Sequence, residues 1–162
     1  SFFLPYLSGE RTPHNDPHIR GSFHAMKTTT DATNMQYAVI EGVSFGILDG
    51  VNSILKVNEN FEKIFMVGGG SRSSLWIELI ASLLQRKLSV CDQSEYGAAL
   101  GVARLAMHVD NNIKDKNNII KEIKISKEYK PKFDSIDLLK KRYKIWKELY
   151  SSNKKIASSL LA

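Results

Sequence analysis

The chain alternates between long segments with helical spacing of apolar residues and short continuous apolar runs. Apolar residues recur every three or four positions from about Asp31 to Lys56, which predicts a long helix with Thr30 or a neighbouring threonine as its N-cap. The runs Lys63–Val67 and Leu88–Cys91 predict strands, and the segment Ser74–Gln85 between them predicts an amphipathic helix. This alternation indicates an α/β fold whose neighbouring strands are parallel.

The remaining segments are less regular. Residues 1–24 contain closely spaced Pro, Gly, Asn and Asp, so we expect an irregular segment with a short strand over Gly21–Lys27. A further helix is expected from Glu95 to about His108. Residues 110–118 are typical of a loop, and residues 119–125 are typical of a short helix or an extended segment.

A last helix is predicted after Asp134, which can cap it. Its apolar face is formed by Ile136, Leu139, Tyr143, Trp146 and Tyr150. Lysines occupy mainly the other face, and residues 110–162 hold 14 of the 23 Lys and Arg but only 7 of the 17 Asp and Glu. We therefore predict a near-neutral body over residues 1–109 and a basic helical tail over residues 110–162 that packs on it.

Glycines recur every fourth residue inside two of the predicted helices. Gly42, Gly46 and Gly50 share one stripe of the long helix, and Gly97 and Gly101 share a face of the later one. Glycine inside a helix costs about 1 kcal/mol relative to alanine. These stripes therefore predict that another element crosses each helix at short range. Polar residues within the long helix argue against a membrane-spanning role.

The composition is that of a soluble globular protein, with 43% hydrophobic and 25% charged residues. Cys91 is the only cysteine, so an internal disulfide and a cysteine-rich metal site are excluded. The single cysteine and the absence of a visible secretion signal favour a cytoplasmic protein. The net charge of +6 lies in the tail, where no nucleic-acid reader motif accompanies it, so we expect a solvated surface and no nucleic-acid binding.

The run from Val67 to Trp76 is the strongest candidate for chemistry. The predicted strand ends in Gly68, Gly69 and Gly70, and the next helix begins a few residues later. Such a turn presents bare backbone N–H groups at a positive helix end, where phosphate binds. No Lys-Ser/Thr pair follows, and the G-x-G-x-x-G spacing is absent, so the turn is neither a P-loop nor a dinucleotide fingerprint. A nucleotide contact and a plain tight turn both remain open.

Catalytic constellations are scarce. The serines after the glycines lack a G-x-S-x-G elbow, and Pro17 between His14 and His18 excludes a helical pair of metal ligands. Asp49 and Asp92 fit structural roles. Asp16, in a loop flanked by prolines, is the carboxylate that most merits attention.

Several segments taken together resemble the FGGY carbohydrate kinases. The loop Leu7–Pro17 with Arg20-Gly21, the helical segment Ala38–Phe45, the glycine run with Trp76, and the segment Glu95–Gly101 stand in the order of that family's motifs. The resemblance covers about residues 4–108. The loop Ser8–Pro13 favours the xylulose kinase branch.

This resemblance implies an actin-like ATPase fold of the ribonuclease H type, in which two domains close on a cleft. It implies that a sugar hydroxyl, on D-xylulose in this branch, is phosphorylated with ATP and Mg²⁺. In the run Gly68–Ser74, it implies that Gly69, Gly70 and Ser71 lie by the adenosine and proximal phosphate. Ser74 takes a place where relatives often have a polar residue near adenine, whereas relatives often have Ala at the position of Ser71.

Family members are much longer, and their catalytic aspartate and sugar-binding residues lie upstream of the segments matched here. We therefore expect a partial C-terminal domain that lacks the opening strands of its sheet, holds no catalytic or metal-binding residue, and is inactive alone. The segment 5–21 is expected to line the cleft. A bare sheet edge favours association, with the missing N-terminal domain or as a homodimer. Another FGGY kinase, for glycerol, gluconate or ribulose, and a non-catalytic interaction module remain alternatives.

Overall fold

A computed structural model describes residues 1–57, 63–110, 119, 124–132, 134 and 136–159. The first long helix, α1 (Ala32–Leu55), is capped by Asp31, whose carboxylate accepts a hydrogen bond from the Asn34 N–H at 2.7 Å. The prediction of a threonine cap is wrong, because the Thr30 hydroxyl accepts from the Lys27 N–H in the preceding turn. The positive helix end favours the carboxylate, and the Asn34 N–H lowers the pKa of Asp31.

The N-terminal segment is more regular than expected. The strand β1 (Phe2–Leu4) pairs antiparallel with β2 (Ser22–His24), with Phe3 opposite Phe23. The expectation of irregular structure is therefore wrong for residues 2–4 and holds for residues 5–21, while the short strand near residue 22 is confirmed. Burial explains the difference, because all of β1 is enclosed beneath helices.

A second sheet has the strand order β3 (Phe65–Met66), β4 (Leu88–Cys91) and β5 (Ile125–Tyr129). β3 and β4 are parallel, as predicted, and are joined by α2 (Ser74–Leu84), whereas β5 runs antiparallel to β4. β3 is shorter than the predicted strand. Within the described residues β3 pairs only with β4, so its outer edge is bare. The loop predicted over residues 110–118 falls almost wholly outside the described residues.

Helix α3 (Gly97–Val109) follows a 3-10 turn over Ser94–Tyr96 and buries none of its residues in the described structure. The sequence predicted tight packing around its glycines. That prediction is wrong for Gly101, because a Cβ placed there would meet no atom within 4 Å. At the other glycine, Gly97, a Cβ would meet only the Val67 side chain, at 3.3 Å.

The long helix α4 (Ile136–Ser159) closes the molecule against β1, α1 and α2. Its predicted apolar face is confirmed, since Ile136, Leu139 and Trp146 are buried. Two apolar clusters result. The first, here called the Trp146 core, comprises Phe2, Leu4, Tyr6, Ile19, Phe45 and Trp146. The second, between α2 and the second sheet, comprises Ile77, Ile80, Ala81, Leu88, Val90 and Tyr129.

The glycine stripe of α1 lies where β1 and the segment after it cross the helix. A Cβ on Gly42 would collide with the Phe3 carbonyl oxygen, so β1 packs directly on the helix backbone. By length and composition α1 could cross a membrane. However, buried Glu41 on this helix accepts two hydrogen bonds from the Arg142 guanidinium of α4, each at 2.6 Å. These contacts identify α1 as a core helix of this fold.

Candidate functional site

The glycine run forms a tight turn between β3 and α2. Gly68 has φ of +85°, a left-handed conformation that favours glycine, and a 3-10 turn over Gly69–Arg72 follows. Ser73 then caps α2, its hydroxyl accepting from the Trp76 N–H at 3.4 Å. No side chain caps the 3-10 turn. In the described part of the chain, the N–H groups of Gly69 and Gly70 bond to no carbonyl outside the turn.

The turn is fastened from behind by two serines. The Ser71 hydroxyl donates to the Gly68 carbonyl at 2.7 Å and lies 2.8 Å from the Ser94 hydroxyl. The Gly68 N–H donates to the Ser94 carbonyl at 2.8 Å, and the Ser71 N–H donates to the Gly68 carbonyl at 3.0 Å. Ser71 and Ser94 are both buried. The hydroxyl and the N–H of Ser71 are therefore both occupied inside the turn, and the residue holds its shape.

An aromatic ring supports the same turn. The Trp76 ring packs so closely on Gly70 that a Cβ there would collide with it. The indole N–H of Trp76 donates to the Ser44 hydroxyl at 2.8 Å, and that hydroxyl donates to the Ile40 carbonyl of α1 at 2.7 Å. The turn is thereby tied to α1 as well as to the turn at residues 94–96.

One face of the turn remains open. Gly69 and Ser74 are exposed, and a Cβ on Gly68 or Gly69 would meet no atom within 4 Å. A rigid, open turn with unused backbone N–H groups can receive an anionic or hydrogen-bonding ligand. The five predicted residues, Gly68, Gly69, Gly70, Ser71 and Ser74, thus lie together. Gly69 and Ser74 carry the exposed surface, while Gly70 and Ser71 face the protein.

Asp16 lies away from this turn and has a structural role. Its carboxylate accepts from the N–H groups of His18 and Ile19 at 3.0 and 3.1 Å and from the Tyr150 hydroxyl at 2.8 Å. The Tyr150 hydroxyl and these N–H groups lower the pKa of Asp16 from 3.8 to about 2. Every one of these partners fastens the segment 5–21 to itself or to α4, so Asp16 organises the loop.

Asp49 also has a structural partner, since it accepts from the Tyr143 hydroxyl at 2.6 Å. No group of three or more His, Cys, Asp or Glu side chains in the described residues is arranged to hold a metal ion.

Sequence reasoning missed the fastening role of Ser94. Its position directly before the segment Glu95–Gly101 was the available signal, but nothing local indicates that it reaches back to Ser71.

Comparisons with known proteins match the chain over most of its length. The model for the FGGY family of carbohydrate kinases, C-terminal domain, matches residues 1–109. The xylulose kinase of Escherichia coli (strain K12) is 30% identical over 149 residues, which are 92% of this chain and 31% of that protein. The crystal structure of a xyloylose kinase from Brucella ovis has a TM-score of 0.80 at 33% identity, over 96% of this chain and 32% of that one.

The crystal structure of gluconate kinase from Lactobacillus acidophilus is similar as well. Its TM-score is 0.72 at 27% identity, over 93% of this chain and 30% of that one. The chain therefore spans about a third of the length of these relatives.

Proposed function

The chain belongs to the FGGY family of carbohydrate kinases, which has the actin-like ATPase fold, and on this premise we propose that it forms the nucleotide side of an ATP-dependent sugar kinase. The whole protein would transfer the γ-phosphoryl group of ATP to a hydroxyl of D-xylulose and release xylulose 5-phosphate and ADP. The observation that carries this proposal is the open glycine turn, which is rigidly supported from behind and unobstructed in front.

The residues of the turn have different tasks in this proposal. Gly69 offers its N–H to the proximal phosphate, and Ser74 offers its hydroxyl to the adenosine. Gly68 makes the reversal that brings the backbone close, while Gly70 and Ser71 set its position through Trp76 and Ser94. Phosphoryl transfer depends mainly on positioning and electrostatic stabilisation, so a rigid turn suits this task.

Mg²⁺ would arrive with the ATP phosphates, because the described residues offer no cage of their own for it. The cleft also needs a group that orients or deprotonates the sugar hydroxyl, which we assign to the N-terminal domain of the whole protein. The exposed part of the segment 5–21 would face that domain across the cleft. We therefore expect the 162-residue chain alone to show no sugar-dependent ATP turnover.

The apolar surface of α3 is exposed in this chain, and we expect further polypeptide to cover it in the whole protein. Val102, Leu105 and Val109 are 67, 68 and 76% exposed, and the bare edge of β3 belongs to the neighbouring sheet. Apolar helix faces and unpaired strand edges favour association. We propose that the N-terminal part of the whole protein covers them, in a cytoplasmic enzyme, and that the separate chain self-associates, a homodimer being the simplest form.

The sugar is the least determined part of the proposal. The relatives named xylulose kinase and the loop Ser8–Pro13 favour D-xylulose. The similarity to a gluconate kinase favours gluconate as the second candidate. A panel of D-xylulose, gluconate, glycerol and ribulose assayed with the full-length enzyme distinguishes them. The highest kcat/KM with D-xylulose is expected, and a higher value with any other substrate would overturn this assignment.

Nucleotide binding can be measured on the chain itself. ATP is titrated into the ¹⁵N-labelled chain, and shifts are expected at the amides of residues 68–74. The variant Gly69→Glu places a carboxylate on the open face and should weaken ATP binding at least about tenfold, through the like charge of the phosphates. Leu138→Glu is the charge control, because that side chain is 62% exposed and lies on α4. Equal affinity of both variants would contradict the proposed contact.

A further inference from the structure

The indole ring of Trp76 bridges the glycine turn and α1. Carbons of its six-membered ring lie so close to Gly70 that a Cβ on that residue would collide with them. At the other side of the same ring system, the indole N–H donates to the Ser44 hydroxyl at 2.8 Å. Because an indole is rigid and planar, the direction in which its N–H points also determines how its six-membered ring lies against Gly70.

The Ser44 hydroxyl that receives this N–H has a fixed orientation. The residue is only 1% exposed, and its hydroxyl donates to the Ile40 carbonyl, a turn earlier in α1, at 2.7 Å. A hydroxyl has one hydrogen to donate and can also accept, so its oxygen is left as the acceptor for Trp76. Rotation about χ2 of a tryptophan is otherwise broad. The bond to Ser44 therefore selects one orientation of the ring.

The backbone of Trp76 acts on the same part of the turn. Its N–H donates to the Ser73 hydroxyl at 3.4 Å, and the Ser73 N–H donates to the Gly70 carbonyl at 3.1 Å. Ring and backbone thus both bear on Gly70. A rotated ring would change the direction of the Gly69 and Gly70 N–H groups, which among the described residues bond to no carbonyl outside the turn.

A second serine of α1 shows what is particular about Ser44. Ser53 donates in the same way to the Asp49 carbonyl at 3.1 Å, but no side chain of the described residues donates to it. Both serines therefore make the same kind of bond within the helix, and of the two Ser44 alone reaches the turn. Alanine is the better helix former, so the hydroxyl of Ser44 serves the contact with Trp76 rather than the helix.

We infer that Ser44 is a positioning residue for the nucleotide: through Trp76 it sets the direction of the Gly69 and Gly70 N–H groups. Ser44 itself touches no part of the ligand. This role rests on the proposed nucleotide contact and extends the site from the turn to α1. Hydrogen bonds weaken steeply as they depart from linearity, so a small tilt of these N–H groups lowers the affinity for a phosphate.

The direction of the turn can be followed without a ligand. The chain has two tryptophans, so the ¹⁵N-labelled 162-residue chain gives two indole N–H resonances. Ser44→Ala should shift the indole resonance of Trp76 and the amides of Gly69 and Gly70. The indole of Trp146, which donates elsewhere in the fold, is the internal reference and should stay in place.

Ser53→Ala is the matched control, because it removes the same kind of bond from the same helix. It should leave the Trp76 indole and the amides of the turn unchanged. Thermal melting verifies that each variant is folded. Unchanged amides at Gly69 and Gly70 in a folded Ser44→Ala variant would overturn the positioning role, as would equal shifts in the Ser53→Ala variant.

The affinity for ATP is measured on the same chains. Ser44→Ala should weaken ATP binding about three- to tenfold, the factor that corresponds to one weakened hydrogen bond. Trp76→Phe keeps a ring beside Gly70 but removes the N–H, so a similar factor is expected. Because both changes act on one hydrogen bond, the double variant should bind no more weakly than the weaker single variant. Losses that multiply, or an unchanged affinity in Ser44→Ala, would overturn the positioning role.

The two measurements distinguish this role from the proposed function. If the unmodified chain does not bind ATP, the nucleotide contact of the turn fails, and with it the role of Ser44 toward a nucleotide. If ATP binds to the unmodified chain and to Ser44→Ala alike, the nucleotide contact stands and only the positioning role is overturned.

Discussion

The Trp146 core and the region around α3 lie in one chain, but their side chains are buried to very different degrees. In the Trp146 core, Phe45 and Leu4 are fully buried, and the Trp146 indole N–H donates to the Phe3 carbonyl at 2.8 Å. Along α3, no described residue is buried, and an apolar side chain such as Leu105 is 68% exposed. The Trp146 core, here called the completed region, is enclosed by described residues, whereas α3 and the outer edge of β3 stay uncovered among the described residues.

The glycine turn lies on the border between these two regions. Its support comes from the completed side, through Trp76 and Ser44 of α1, and from Ser94 at the beginning of the α3 side. The turn is therefore held rigidly on one side and open on the other, as the proposed nucleotide contact requires.

The largest effect is expected at the buried ion pair of the completed region. Arg142→Met leaves the Glu41 carboxylate, which is only 2% exposed, without its two hydrogen bonds. An unpaired buried charge typically destabilises by about 3–5 kcal/mol. Urea unfolding followed by circular dichroism measures this loss. Lys140→Met, on the exposed side of the same helix, is the control, and an equal loss in both variants would show that the ion pair is not responsible.

Alanine substitutions at two helical glycines should change the free energy of unfolding in opposite directions. Gly42→Ala places a methyl group against the Phe3 carbonyl oxygen, and such overpacking should cost about 1–3 kcal/mol. Gly101→Ala enters open space on α3 and should stabilise the chain by up to about 1 kcal/mol. Denaturant midpoints with unchanged m-values measure both. A destabilising Gly101→Ala would contradict the open space at this position.

The acid response of the completed region should depend on Asp16. Its folded-state pKa of about 2 lies below the ordinary value of 3.8, chiefly because the Tyr150 hydroxyl donates to the ionised form. Folding therefore favours the carboxylate, and this stabilisation is fully present above pH 3.8 and is lost as the pH falls towards 2. Urea midpoints across this window should fall less steeply for Tyr150→Phe than for the unmodified chain. Parallel slopes would show that other carboxylates carry the acid response.

Local sequence patterns predicted the helices and strands but not the contacts between them. The periodicity of α1 and α2 and the parallel order of β3 and β4 follow from residue spacing alone. The resemblance to the family rested on motifs within continuous stretches, and it is confirmed. The contact of Arg142 with Glu41 joins residues far apart in the chain, and no local pattern specifies it.

The glycine stripes show the same limit of local patterns, because identical spacing accompanies different packing. The i, i+4 spacing of Gly42 and of Gly101 is alike in the sequence, yet one position touches β1 and the other faces open space. Close approach depends on which segment of the fold crosses the helix. At Gly101 no atom lies within 4 Å of a Cβ, and glycine spacing alone does not say whether a segment crosses the helix there.

The smallest effect on stability, and the most specific effect on association, is expected on α3. Leu105→Lys changes an exposed side chain, so the free energy of unfolding should stay within about 0.5 kcal/mol of the unmodified chain. Self-association, measured by sedimentation across protein concentrations, should decrease, because the substitution interrupts the apolar face of α3 with a charge. Leu138→Lys, at a similarly exposed position of α4, is the control. If it reduces association equally, or if the unmodified chain is monomeric at all concentrations, the face of α3 is not the surface through which this chain associates.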